Sequence, residues 1–265
     1  MLEVQNVSVA YGNAAPVVHD FSMQVSKGEV VSIVGESGSG KSTAIRSIIG
    51  ILPGQGKITQ GNILLDGQSL LSYTEQQWQR LRGMRMSMIF QDSANSFNPI
   101  RRIGPIFVEY IQSHLAVPKK QAWDKAAEML GKMGLPNCEN IMRSYPFQLS
   151  GGMRQRVSIA MAMTFQPELL LADEPTSALD VTTQAQIVHQ MMELRDNYGS
   201  GIIIVTHNLG VAAYMSDKII VMKSGEVVES GARSDILGHP SEQYTKTLIA
   251  SVPKLEDDNI ANIAS

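Results

Sequence analysis

The stretch "VVSIVGESGSGKST", Val30 to Thr43, sets a short run of apolar, mostly β-branched residues against a loop of glycine and small polar residues. The apolar run reads as a buried strand. The residues that follow, "AIRSIIGIL", read as an apolar helix, so the loop joins strand to helix. From Gly35 to Ser42 the loop satisfies G-x-x-x-x-G-K-[ST], a motif whose meaning depends on this strand–loop–helix context. Glycines at 35, 38 and 40 let successive backbone N–H groups turn toward one point, and the helix N-terminus adds partial positive charge there. In such a loop Lys41 bridges the β- and γ-phosphates of a nucleotide and the Ser42 hydroxyl ligates Mg2+. Ser37, Ser39 and Thr43 complete the candidate nucleotide-binding set. Gly35, Gly38 and Gly40 do not give G-x-G-x-x-G, and that spacing argues against a dinucleotide site.

Outward from the loop, the first 70 residues or so are β-rich. "LEVQNVSVAY" alternates, and "GNILLDG" lies between turn glycines. Tyr11 is either the aromatic that closes its strand or a surface for stacking on adenine. From Thr74 to Arg143 the chain turns to longer amphipathic segments such as "KKQAWDKAAEMLGKMG". After Ser150 helix and buried strand alternate: "MRQRVSIAMAMT", "ELLLADE", "TTQAQIVHQMMELRDNY", "GIIIVTH". Strands apolar throughout, alternating with helices, predict a mainly parallel sheet covered on both faces. The helical middle then reads as an insertion into an α/β domain. "DKIIVMKSGEVVESG" predicts a hairpin through Ser224-Gly225, and "KLEDDNIANIAS" a loose polar tail.

The chain has 265 residues, 43% of them hydrophobic, with a net charge of -3. That suffices for one large domain, or a domain with a subdomain, and gives no electrostatic reason to expect nucleic acid. Cys138, the single cysteine, excludes an intrachain disulfide and a cysteine metal cluster. It stands in a loop-like "LPNCEN" and fits a reducing cytosol. With no apolar run of about 18 residues and no signal-peptide pattern, the expectation is a soluble cytoplasmic protein that reaches a membrane only through partners.

"LLLADEPTSALD" places Asp173 and Glu174 directly after an apolar run. Carboxylates at the end of a buried strand are costly unless something cationic meets them. Asp173 suits Mg2+ binding through water, and Glu174 suits a general base on the attacking water. "IIIVTHN" carries His207 to the end of another buried strand, the sheet edge where ligands collect in open α/β folds. There it could sense the γ-phosphate. "MSMIFQD" brings Gln91, an amide able to meet both Mg2+ and water, to the end of a third strand.

These motifs, in this order, resemble the nucleotide-binding subunit of ATP-binding-cassette (ABC) transporters. "GESGSGKST" matches the family's Walker A loop, Tyr11 its adenine-stacking aromatic and Gln91 its Q-loop. "LSGGM" at 149–153 matches the signature, "LLLADEP" Walker B with catalytic Glu174, "SALD" with Asp180 the D-loop, and His207 the switch histidine. The resemblance implies a P-loop NTPase fold with an antiparallel β subdomain and an inserted helical subdomain. The cassette would cover 1–252, with the helical insertion at about 93–160 and the tail at 253–265. It implies ATP and Mg2+ as ligands, and two cassettes packed head to tail. Ser150, Gly151, Gly152 and Met153 of each would cap the ATP held by the other, with glycine needed where backbone meets phosphate. ATP closes the pair and hydrolysis reopens it.

"QDSANSFNPIRRIG", "SYPFQLSGGMRQR" and "SEQYTKTLIASVP" resemble the importer group for peptides, opines and nickel. Met153 stands where most of the family has glutamine, which removes one polar contact to the partner's nucleotide. The absence of a C-terminal cysteine cluster leans toward the nickel or metal-chelate branch. The implied partners are a second, related ATPase chain, two integral permease subunits and, indirectly, an extracytoplasmic solute-binding protein, with the chain at the cytoplasmic face of the membrane and no nucleic acid. The alternatives are a soluble ABC ATPase, a P-loop GTPase (no N-K-x-D occurs) and a binding-only scaffold, against which intact Glu174 argues.

Overall fold

The computed structural model describes residues 1–91, 97–177 and 179–251, without the side chain of Leu194. The polar tail at 253–265 lies outside the described residues, as do residues 92–96 at the expected start of the helical insertion. Strands Leu2–Tyr11 (β1), Val18–Val25 (β2) and Val30–Val34 (β3) lead into helix Lys41–Ile48 (α1). Gly56–Leu65 (β4), Gln68–Ser69 (β5), Glu75–Leu81 (α2) and Met86–Ile89 (β6) follow. Then come four helices, Ile103–His114 (α3), Lys119–Lys132 (α4), Cys138–Arg143 (α5) and Gly151–Met163 (α6). Leu169–Asp173 (β7), Val181–Tyr198 (α7), Gly201–Val205 (β8) and Leu209–Met215 (α8) alternate after them. Lys218–Lys223 (β9), Glu226–Ala232 (β10), Arg233–Gly238 (α9) and Gln243–Ala250 (α10) follow, and short 3-10 helices at Leu70–Ser72 and Pro146–Gln148 precede α2 and α6.

Every residue of β3, β7 and β8 is buried. They lie inside a sheet of order β10-β9-β3-β8-β7-β6, parallel from β9 to β6 and antiparallel only at β10. Side chains alternate across a strand, and here both faces meet a core. Leu169, Leu171, Ile203 and Val205 join a cluster with Ile45 and Ile48 of α1 and with Val4, Phe21 and Ile63 of the other sheet. Leu170, Ala172, Ile202 and Ile204 join a second cluster with Phe107, Leu130, Val157 and Ile187 of the helices. Two covered faces remove any reason for polar alternation, so these strands read as unbroken apolar runs.

The second sheet is antiparallel, in the order β2-β1-β4-β5. Its β1 departs from strict alternation: Val7, Ser8, Val9 and Ala10 are all buried, and the pairing shifts register after Val4. Asn6, with a φ of 46°, lies within that irregularity. Helices α3 to α6 occupy the connection between β6 and β7, themselves neighbouring parallel strands. The hairpin of β9 and β10 turns through Ser224 and Gly225, both at positive φ (50° and 87°), the combination a two-residue turn demands.

Cys138 corrects the sequence expectation of a loop. It is the first residue of α5, half-buried, with its thiol donating to the Leu135 carbonyl at 3.3 Å. Asn137 takes a left-handed φ of 50° just before it, and that starts the helix earlier than "LPNCEN" suggests. Among the described residues, no helix is long and apolar enough to cross a membrane.

Candidate nucleotide-binding site

The loop between β3 and α1 is built around the Lys41 ammonium. It donates to the carbonyls of Gly35 and Glu36 at 2.8 and 2.6 Å, and to the Ser39 hydroxyl at 3.4 Å. The side chain is buried beneath the loop, and burial lowers its pKa from the ordinary lysine value. The carboxylates of Glu174, Asp173 and Glu36 oppose that fall. Gly35 has a φ of +150°, and a Cβ there would run into the Met222 carbonyl, so no other residue fits that turn. Gly38 and Gly40 also have positive φ, and Gly40 is the N-cap of α1. Ser37 is exposed and Ser39 buried, while Ser42 and Thr43 sit half-buried in the first turn of the helix.

Asp173 ends β7 with no solvent exposure. Its carboxylate accepts the Ser42 hydroxyl at 2.7 Å and an Arg46 N–H at 3.2 Å. Burial raises its pKa above the ordinary aspartate value. The Ser42 bond and the Arg46 charge pull the other way, and Glu174 adds to the rise. The cation predicted for this strand end is Arg46, which was not singled out from the sequence. Its signal was available: Arg46 lies four residues beyond Ser42 in α1, on the same helix face.

Glu174 leaves the strand at a left-handed φ of 45°, with its N–H donating to the Val205 carbonyl at 2.9 Å. A glutamate in that conformation is strained by about 1–3 kcal/mol, a feature found where geometry serves a site. The bend turns its carboxylate toward two of the expected residues. Gln91 donates to Glu174 Oε2 at 3.2 Å, and His207 Nδ1 lies 3.2 Å from the same oxygen. The structure thus gathers Lys41, Ser42, Asp173, Glu174, Gln91 and His207 at the carboxyl edge of the parallel sheet. Tyr11 closes β1, and its hydroxyl lies 3.4 Å from the Thr43 hydroxyl, so the ring flanks the loop.

Ser150 is the N-cap of α6, its hydroxyl accepting the Met153 N–H at 3.2 Å. The Met153 side chain packs against the helical core. Gly151 and Gly152 differ sharply. A Cβ on Gly151 would meet nothing within 4 Å, whereas one on Gly152 would sit 2.8 Å from Thr183 Cγ2 on α7. Thr183 is held in turn by Asp180, the N-cap of α7, which accepts its N–H at 3.0 Å and its hydroxyl at 2.8 Å. Those bonds keep the exposed Asp180 carboxyl below the usual range, the Thr183 N–H contributing most. Two more residues not foreseen from sequence hold the loop after Glu174. Gln155 donates to the Pro175 carbonyl at 2.5 Å, and Gln184 to the carbonyls of Thr176 and Leu179 at 2.9 and 3.1 Å.

A buried strand, a glycine loop closed over a lysine and a carboxylate hydrogen-bonded to the loop serine define a P-loop nucleotide-binding protein. The family described as ABC transporter matches residues 18–177. The chain belongs to that family and is an ABC-type ATPase. It is 42% identical to the oligopeptide transport ATP-binding protein AppD of Bacillus subtilis (strain 168), over 97% of this chain and 80% of that protein. To the dipeptide transport ATP-binding protein DppD of Lactococcus lactis subsp. cremoris (strain MG1363) it is also 42% identical, over 97% and 74%. Among solved structures, a dimeric ATP-binding cassette in a post-hydrolysis state bound to ADP and Pi is similar with a TM-score of 0.77 and 29% identity, over 88% of this chain and 99% of that one. A Clostridium perfringens subunit of an ABC transporter complex has a TM-score of 0.78 and 26% identity, over 99% and 98%.

Proposed function

We propose that this chain is one ATP-hydrolysing subunit of a peptide importer, paired with a second cassette beneath two permease subunits at the cytoplasmic face of the membrane. The observation that carries the reading is a divided constellation. The phosphate loop, Asp173, Glu174, Gln91 and His207 converge on one sheet edge. Ser150 and Gly151 open a different element, α6, and a Cβ on Gly151 would meet nothing within 4 Å. Among the described residues nothing requires glycine there, which fits a backbone approached by a partner's phosphate. Gly152 has its own reason in Thr183, so the phosphate argument weakens for that residue.

ATP lies along the Gly35–Ser42 loop with its adenine against Tyr11. Lys41 exchanges its loop carbonyls for the β- and γ-phosphates. Ser42 and Gln91 offer oxygen donors of the kind a hard cation prefers, and with Asp173 acting through water they would hold Mg2+. When bound, the ion neutralises charge on the phosphate oxygens. Glu174 takes the proton of the attacking water as general base, its carboxylate oriented by Gln91 and His207. Asp180 sets the turn into α7 beside the signature helix. The transport proteins AppD and DppD favour peptides as cargo over the nickel or metal-chelate branch. A different but related partner chain and an extracytoplasmic binding protein complete the proposed assembly.

Glu174→Gln tests the catalytic half. ATP binding is retained, the closed pair accumulates and turnover falls about 100-fold or more. Unchanged steady-state turnover in the assembled transporter removes Glu174 from the role of base. Failure of the chain to co-purify with any permease removes the transport reading.

A further inference from the structure

Tyr244 of α10 lies 208 residues beyond Glu36, yet its hydroxyl accepts the Glu36 backbone N–H at 3.1 Å. Glu36 is the second residue of the phosphate loop. Its carbonyl takes the Lys41 ammonium at 2.6 Å and the Ser39 N–H at 3.2 Å. The first turn of the loop is therefore held from inside by Lys41 and from outside by Tyr244.

Other parts of the same region support the loop from behind. The Gly225 N–H, in the turn between β9 and β10, donates to the Ser39 carbonyl at 3.1 Å. The Met222 carbonyl of β9 closes the space beside Gly35. Tyr244 and Leu248 pack against Val34, Leu209 and Ile219, next to the residue that opens the loop. The Lys223 ammonium sits 4.8 Å from the Tyr244 ring centre. The Glu229 carboxylate accepts the N–H groups of Ser241 and Glu242 at 2.7 and 3.2 Å, which fixes the entry to α10.

We infer that Tyr244 is a positioning residue for the phosphate loop: through the Glu36 N–H it holds the loop in its nucleotide-receiving conformation, so that α10 sets ATP affinity without touching the reacting atoms. Nucleotide draws the Lys41 ammonium off the Gly35 and Glu36 carbonyls, which removes the inner fastening. The Tyr244 bond then remains, beside the loop's own Ser39 N–H bond to the Glu36 carbonyl, as the tie from the first turn to α10. Without it the competent fraction of loops falls, and apparent Kd rises by the inverse of that fraction.

Tyr244→Phe in the full chain deletes the hydroxyl and keeps the ring beside Lys223 and the buried cluster that includes Val34 and Leu209. The loss of one hydrogen bond predicts Kd and KM for ATP raised about five- to tenfold. The expected kcat stays within about twofold of the parent. Hydrogen exchange at the Glu36 amide quickens, and the nucleotide-free melting temperature falls by no more than about 4 °C, the share of one hydrogen bond. Unchanged ATP affinity overturns the inference. So does lost affinity that arrives with a larger fall in melting temperature or with a comparable fall in kcat. The inference rests on residues 35–42 being the ATP site, which Lys41→Ala checks separately. Binding that survives Lys41→Ala sinks that assignment; binding lost there but intact in Tyr244→Phe sinks only the role of Tyr244.

Discussion

Gly152→Ala inserts one methyl group into the contact between α6 and α7. The new Cβ would lie 2.8 Å from Thr183 Cγ2, well inside the optimum of roughly 3.5–4.0 Å for two carbons. Thr183 cannot turn its methyl away freely, because its hydroxyl is bonded to Asp180 Oδ2 and its N–H to Asp180 Oδ1. Relief by displacing α6 costs about 1–3 kcal/mol, the usual range for overpacking. Alanine returns up to about 1 kcal/mol over glycine within a helix. The net expectation is a loss of about 1 kcal/mol, a fall in Tm of about 2–4 °C for a chain of this size. Thr183→Ser keeps the oxygen for Asp180 and removes Cγ2. The double variant therefore sheds the clash, keeps the alanine gain and melts at or above the parent. Thermal unfolding of the four proteins gives a coupling of about 1–2 kcal/mol. Additive effects, or a single Gly152→Ala variant that melts above the parent, refute the steric reasoning. ATPase rates of the same set separate the two demands on Gly152: turnover that Thr183→Ser does not restore returns this glycine to the partner's nucleotide.

Two further expectations concern charge. Arg46→Met leaves the buried Asp173 with the Ser42 hydrogen bond and without its ion pair, a loss of about 1–2 kcal/mol, below the cost of breaking a fully buried pair because Arg46 is partly exposed. Asp173 already titrates above the ordinary aspartate value through burial, and the variant lifts it further. The native state then takes up protons before the unfolded chain does, so calorimetry finds the deficit shrinking as pH falls toward the ordinary aspartate value of about 4. A deficit that grows over that range refutes the sign. His114 is held neutral by burial, in edge contact with Tyr110 at 5.3 Å and Phe165 at 5.1 Å. Burial also pushes the Tyr110 phenol up to about 12, so Tyr110 stays uncharged through the test. The unfolded chain protonates His114 first, and stability drains away as pH falls below about 6.5. His114→Gln flattens that part of the denaturation profile, and an unaltered profile removes His114 from the explanation.

The legible parts of the molecule were those written in a single local pattern. An apolar run, a glycine loop and an apolar helix announced β3 and α1. Apolar runs ending in Asp173-Glu174, His207 or Gln91 announced the edge of the parallel sheet before its strand order was known. What escaped has particular causes. Val7 to Ala10 are all buried because a register shift interrupts β1, so alternation alone misdescribes that strand. Cys138 begins a helix because Asn137 adopts a left-handed conformation that its neighbours do not signal. Arg46 shares a face with Ser42, yet its partner Asp173 lies 127 residues away. Gly152 looked like a phosphate-approach glycine, and its crowding by Thr183 depends on how α6 lies against α7.

By itself the sequence determined that a nucleotide-binding loop exists, which carboxylates and amides end the neighbouring strands, and which family they serve. Each of those is set by spacing over a few residues, and the chemistry demands that spacing. Tertiary structure alone decided that Arg46 meets Asp173, that Gln91 and His207 share one oxygen of Glu174, and that Tyr244 holds Glu36. Those contacts join segments brought together by strand order and helix packing, and no local periodicity encodes the partner of a side chain on another strand or helix.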